Sequence, residues 1–132
     1  MLFVDLPHGH KMHYQVIGED NAKNSLLFVH GIMGKGKNLF TFAKELIKEY
    51  KNTNAVLIDL RNHGHSSKHN QPYNIEACAN DLSILCQELK IIPSMIIGHS
   101  FGAKVSLLAA QKLKTPQIWI LDAPLSAYDV KK

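Results

Sequence analysis

A serine between two glycines is the residue of this sequence best suited to chemistry. Gly98-His99-Ser100-Phe101-Gly102 follows the pattern G-x-S-x-G. In a turn of this kind the serine backbone is strained, and glycine at 98 and 102 avoids side chains that would collide with the neighbouring strand and helix. The strain exposes the Ser100 hydroxyl above the carboxyl end of a sheet, where ligands bind. We therefore predict that Ser100 is a nucleophile; the alternative is an ordinary turn with a helix-capping serine.

Two backbone N–H groups are expected to stabilise the oxyanion that attack by Ser100 would create. His30-Gly31-Ile32-Met33-Gly34 follows a short apolar run, and glycine-rich backbone at the end of a strand can present an N–H inward. We predict that the donors are the N–H groups of Ile32 and Phe101. His30 is expected to bond loop backbone, because a general base there would precede its nucleophile on the wrong loop.

Two aspartates follow predicted strands. Asp122 could orient a catalytic histidine and stabilise its imidazolium, or it could cap the turn that follows the strand. Asp59 opens a loop rich in histidine, glycine and serine. We expect Asp59 and Arg61 to pair with each other and to bond the backbone of that loop.

Phosphate loops and metal sites are the other interpretations of these glycines and histidines. The Gly31–Lys37 loop has the spacing G-x-x-x-x-G-K, but Asn38 stands where a P-loop has the Ser or Thr that binds Mg²⁺. His63, His65 and His69 have no carboxylate or cysteine to complete a metal set. We therefore predict no metal and no cofactor.

Composition limits the class of protein. The 132 residues suffice for one domain, 45% of them are hydrophobic, and no apolar run reaches the length of a membrane span. The net charge is +4, but the basic residues are scattered and all except Arg61 are lysines, which argues against nucleic-acid binding. Cys78 and Cys86 are predicted to be buried free thiols. With no visible signal peptide, the expected location is cytoplasmic.

The order of the predicted elements indicates an α/β fold. Residues 1–6 and 12–17 form a predicted hairpin, and short apolar runs at 25–29, 55–58, 95–97 and 118–121 predict strands buried on both faces. Helical spacing predicts helices near 39–47, 75–89 and 100–112. We expect one mostly parallel sheet with helices on both faces.

The last predicted strand, Ile118–Leu121, is apolar at four successive positions. The eleven residues from Asp122 to Lys132 are too few for a crossover helix and another parallel strand. That strand would remain an exposed apolar edge, through which the chain could self-associate. We expect the natural protein to continue beyond this sequence.

Three motifs in this order and spacing resemble the α/β-hydrolase superfamily: His30-Gly31-x-x-Gly34, Asp59-x-Arg61-Asn62-His63-Gly64-x-Ser66 and Gly98-His99-Ser100-x-Gly102. The second and third are most similar to small bacterial carboxylesterases and thioesterases, and the resemblance covers nearly all of residues 1–124. It implies six strands and three helices of one partial hydrolase domain spanning residues 1–132. It also implies an acyl-enzyme on Ser100 formed from a small ester or thioester, with Asp122 at a position of the family's acid.

The sequence departs from that family in one respect. Family members have a catalytic histidine after the serine and the acid, near the C-terminus, and no histidine follows Ser100 here. We also expect the family's lid and last strands to lie outside these 132 residues. We expect the 132-residue chain to be inactive alone. The alternative function is a catalytically incomplete or degenerate half-domain that needs a partner to complete its sheet.

Overall fold

The computed structural model describes residues 1–31, 34–70 and 73–121. Within these ranges six strands form one sheet in the order β1-β2-β4-β3-β5-β6. Their bounds are β1 (Leu2–Asp5), β2 (Lys11–Ile17), β3 (Asn24–Val29), β4 (Thr53–Ile58), β5 (Met95–His99) and β6 (Gln117–Leu121). β2 pairs antiparallel with β1 and with β4, and the other neighbours are parallel. The predicted N-terminal hairpin and mostly parallel sheet are confirmed.

Helices cover both faces of the sheet, as predicted. They are α1 (Phe40–Ile47), α2 (Ile75–Leu89) and α3 (Phe101–Leu113). Because side chains alternate along a strand, Leu26 and Phe28 of β3 pack in one core with α1, whereas Leu27 and Val29 pack in the other core with α2 and α3. Among the described residues, no helix is both long enough and apolar enough to cross a membrane.

The start of α2 follows directly from its sequence. Asn74 is the N-cap, and its Oδ1 accepts a 2.8 Å hydrogen bond from the Ala77 amide. Cys78 and Cys86 lie on the buried face of this helix as free thiols, which confirms the prediction. Burial raises the pKa of both thiols to about 12.

Residues 118–121 form the predicted strand, and within the described residues it is an exposed edge, as expected, rather than a strand buried on both faces. β6 pairs with β5 at one end of the described sheet, and none of its residues is fully buried. Trp119 is 39% exposed. Among the described residues β6 has a neighbouring strand on one side only, so its other edge is unpaired.

Candidate functional site

Ser100 occupies a strained turn between β5 and α3. Its backbone has φ 55° and ψ −121°, a combination that non-glycine residues rarely adopt and that costs on the order of 1–3 kcal/mol. The side chain of Ser100 is exposed. The hydroxyl therefore stands at the carboxyl end of the sheet on a backbone that only its surroundings can hold in place.

Contacts from three sides hold this turn. The Ser100 amide donates to the Leu121 carbonyl at the end of β6 (3.1 Å), and the Ser100 carbonyl accepts from the Ala103 amide (2.9 Å). The loop after β3 lies against the same residue, because a Cβ added to Gly31 would be 3.0 Å from the Ser100 Cβ. The predicted oxyanion loop and the predicted nucleophile are thus in direct proximity.

Steric crowding leaves no room for a side chain at positions 98 and 102. A Cβ on Gly98 would lie 2.6 Å from the Ala103 Cα and would also overlap the Ser106 hydroxyl. A Cβ on Gly102 would collide with the carbonyl oxygens of Val29 and His30. These glycines let α3 start directly against β5 and the end of β3.

His30 is buried and uses both ring nitrogens. Nδ1–H donates to the Gly31 carbonyl (2.7 Å), and Nε2 accepts from the Leu60 amide (2.9 Å). Burial lowers the pKa of His30 to about 4, although the bond to Gly31 acts in the opposite direction. The ring is neutral at physiological pH and ties the loop after β3 to the loop after β4.

Asp59, only 3% exposed, fastens the loop after β4. Its carboxylate accepts from the Gly36 amide (2.7 Å), the His65 amide (3.0 Å) and His13 Nδ1 (2.8 Å). Burial by itself would raise the pKa of Asp59, but the bonds from His65, Gly36 and His13 outweigh it and hold that pKa below its ordinary value. The Gly36 amide is thus bonded to Asp59 and is not free to bind a phosphate.

The prediction that Asp59 bonds the backbone of its loop is confirmed by the His65 amide, but the predicted pair between Asp59 and Arg61 is wrong. The Arg61 guanidinium instead donates two bonds to Asp81 of α2, from Nε (2.8 Å) and from a terminal nitrogen (2.9 Å). The bond to Asp81 raises the pKa of Arg61. The carboxylate of Asp59 already accepts hydrogen bonds from two amides and from His13. The Asp81 carboxylate is buried, and a buried negative charge is costly unless a cation pairs with it.

The histidines of the loop after β4 contact other rings. His63 lies near Tyr73, His65 lies edge-on to His13, and His69 stacks on His10 at 3.7 Å. Within the residues that the structure describes, no group of three or more His, Cys, Asp or Glu could hold a metal ion.

Sequence reasoning missed Tyr73, which lies in this site. Its ring stacks on Phe101 with centroids 5.2 Å apart, next to the strained serine. The overlooked signal is its position immediately before the N-cap Asn74, where an apolar residue often packs against the first turn of the helix. His13, the partner of Asp59, carried no signal, because it lies on a distant strand.

Two predicted site residues, Ile32 and Asp122, lie outside the described residues. Phe101 is the first residue of α3, and the N–H groups in the first turn of a helix have no carbonyl partner within the helix. The prediction that its N–H donates to an oxyanion at Ser100 is compatible with this position.

A protein-family model described as alpha/beta hydrolase fold matches residues 24–124. A probable alcohol acetyltransferase of Wickerhamomyces anomalus is 43% identical over 91 residues, which are 69% of this chain and 26% of that protein. The sn-1-specific diacylglycerol lipase ABHD11 of Mus musculus is 30% identical over 105 residues, 80% of this chain and 33% of that lipase. A carboxylesterase structure from Nitrososphaera gargenis superimposes with a TM-score of 0.82 at 21% identity, covering 98% of this chain and 49% of that one. The chain thus spans about a quarter to a third of these two curated relatives.

Proposed function

Because the chain belongs to the α/β-hydrolase-fold family, we propose that it carries the nucleophile of a serine hydrolase acting on carboxylic ester or thioester bonds. The backbone of Ser100 is the observation that carries this proposal. A strained, exposed serine at the start of a helix suits nucleophilic attack. The names of the relatives, an acetyltransferase and a lipase, agree with acyl chemistry.

The proposed reaction has two steps. Ser100 Oγ attacks the acyl carbonyl carbon while its proton passes to a base, and the carbonyl oxygen becomes an oxyanion that accepts hydrogen bonds from the Phe101 and Ile32 N–H groups. The C–O or C–S bond then breaks, and the alcohol or thiol leaves with a proton. Water attacks the acyl-enzyme in the same way and releases the carboxylic acid and free Ser100.

The base is the part that this sequence does not supply. No histidine follows Ser100, and His30 is neutral, buried and bonded at both nitrogens. We propose that the base is contributed from outside these residues and that Asp122 orients it. Without that base we expect little turnover from the 132-residue chain.

The proposal also covers the substrate, the partners, the location and the extent of the domain. The substrate is a small acyl ester or thioester, with neither nucleic acid nor membrane as a partner, and the location is cytoplasmic. Residues 1–132 form one partial hydrolase domain, with no metal or cofactor in the reaction.

Two measurements test the role of Ser100 directly. In a form of the protein that includes the base, a fluorophosphonate probe followed by mass spectrometry should modify wild type and Ser83→Ala but not Ser100→Ala. Ser83 serves as the control because it is a serine on α2 with a buried hydroxyl and no predicted role. Turnover of p-nitrophenyl butyrate should be low for the 132-residue chain and should become high when residues encoded downstream of Lys132 are added. Labelling of Ser100→Ala, or turnover that survives this change in the longer protein, would refute the nucleophile. High Ser100-dependent turnover by the short chain would refute the missing base.

The half-domain alternative is favoured by one observation, the half-exposed Trp119 on the apolar edge strand β6. On that interpretation the chain self-associates through Ile118–Leu121 and is not a catalyst. Sedimentation of the chain and of Trp119→Lys distinguishes the two. A dimer that Trp119→Lys dissociates, together with no labelling of Ser100 in any length of the protein, favours the half-domain.

A further inference from the structure

Four rings form a continuous row from the loop after β3 to the strained serine. Successive centroid distances are 5.1 Å from His30 to His63, 5.3 Å from His63 to Tyr73 and 5.2 Å from Tyr73 to Phe101. The four residues come from four different segments of the chain. We call this set (His30, His63, Tyr73 and Phe101) the ring row.

Both ends of the ring row are attached to parts of the candidate site. His30 is fixed by its bonds to Gly31 and Leu60, and Gly31 lies against Ser100. Phe101 directly follows Ser100 and begins α3. A shift of any ring would therefore change the position of the strained turn at residues 98–102, which we call the elbow, relative to the loop after β3.

The two middle rings make different additional contacts. His63 Nδ1–H donates to the Arg61 carbonyl (3.0 Å), which orients this ring. The Tyr73 hydroxyl is buried and has no hydrogen-bond partner among the described residues, and burial raises the pKa of this phenol. A buried hydroxyl without a partner is a cost, so the ring is the useful part of Tyr73.

We infer that Tyr73 and His63 are positioning residues, whose rings hold the Phe101 end of the elbow against the loop after β3 for acyl transfer at Ser100. This inference rests on the proposed function. Its physical basis is that a backbone strained at Ser100 persists only where its surroundings over-determine it, and that small misplacements of reacting groups cost much rate. The rings act through Phe101 and Gly31 and need not touch the substrate.

The main test compares variants that remove or keep the ring at position 73. In the active, longer protein we expect Tyr73→Met to lower kcat roughly tenfold while KM changes by less than about twofold, because alignment is lost and ground-state binding is not. Tyr73→Phe should retain the wild-type kcat. His63→Asn, which keeps an amide donor for the Arg61 carbonyl but removes the ring, should reproduce the effect of Tyr73→Met.

The matched control removes a ring contact of the same kind elsewhere. His69→Leu abolishes the stack on His10, which involves no residue of β5 or α3, and should leave kcat unchanged. An unchanged kcat in Tyr73→Met, a higher KM at unchanged kcat, or an equal loss in Tyr73→Phe or in His69→Leu would overturn the inference.

A second measurement does not depend on catalysis. In ¹H–¹⁵N spectra of the 132-residue chain, Tyr73→Met should shift the amide signal of Gly31, at the other end of the ring row, whereas His69→Leu should not. The Phe101 amide does not serve as the readout, because loss of the stacked ring changes its shift without any movement. An unshifted Gly31 signal in Tyr73→Met would overturn the inference that the ring row holds the elbow. If the wild-type protein shows no Ser100-dependent turnover, the proposed function fails, and the amide shifts alone decide whether the rings hold the elbow.

Discussion

Gly102→Ala is the substitution that most directly tests the packing beneath the candidate site. Alanine favours a helix over glycine by about 1 kcal/mol, so propensity alone predicts that this change stabilises α3. The added Cβ would, however, collide with the Val29 and His30 carbonyl oxygens and lie 2.9 Å from the His30 carbonyl carbon. The steric clash thus predicts that Gly102→Ala destabilises the protein, whereas helix propensity predicts that it stabilises the protein.

The structure indicates which effect is larger. Overpacking typically costs about 1–3 kcal/mol, and the cost is high when the contacted atoms cannot move. Here those atoms are backbone at the end of β3, which is hydrogen-bonded to β4 on one side and to β5 on the other. Taking about 3 kcal/mol for the collision and about 1 kcal/mol for the helix gives a net loss of about 2 kcal/mol.

Equilibrium unfolding in urea, followed by far-ultraviolet circular dichroism, measures this difference. The matched control is Lys104→Ala, which places alanine two residues later in the same helix on a half-exposed side chain and should change the free energy of unfolding by less than about 0.5 kcal/mol. If Gly102→Ala is as stable as Lys104→Ala, the close contact between α3 and β3 does not exist.

Two further predictions concern buried polar groups. The pKa of His30 is about 4 in the folded protein and about 6.5 in the unfolded chain, so acid protonates the unfolded chain first. The free energy of unfolding should therefore fall by up to about 3 kcal/mol between pH 6.5 and 4, and an NMR titration midpoint of His30 near 6.5 would refute this. Arg61→Met leaves Asp81 buried and unpaired and should cost about 3–5 kcal/mol, whereas Lys48→Gln breaks an exposed pair and should cost less than about 1 kcal/mol in the same urea assay. Equal effects of these two changes would show that the Arg61 pair is not buried.

Most of the fold could be predicted because local sequence determines it. Continuous apolar runs identified β3, β4 and β5, since these strands are covered on both faces. Asn74 marked the start of α2 through its own side chain. The apolar run of β6 identified the strand but not how deeply it is buried, because burial depends on the elements that pack beside it and against its faces.

The candidate site was likewise predicted where it depends on local sequence, and it was not predicted where it depends on contacts between distant segments. The region around Ser100 is a local motif, and its strained backbone and crowded glycines are visible in five consecutive residues. Pairings between distant segments were predicted wrongly or missed. His13 reaches Asp59 only because β2 lies beside β4 in the sheet, and a single sequence does not reveal this strand order.

Besides the ring row, buried polar groups hold the framework around Ser100. Asp59 joins the loop after β4 to Gly36 and to His13 of β2, while His30 joins the same loop to Gly31. Hydrogen bonds fix direction as well as distance, which apolar packing does not. A strained serine and a nearby loop need such directional support, because the strain would otherwise relax. These buried polar groups also make the framework sensitive to acid. The pKa values of Asp59 and His30 are both lowered in the folded protein, so the stabilisation that these two groups give is lost as the pH falls.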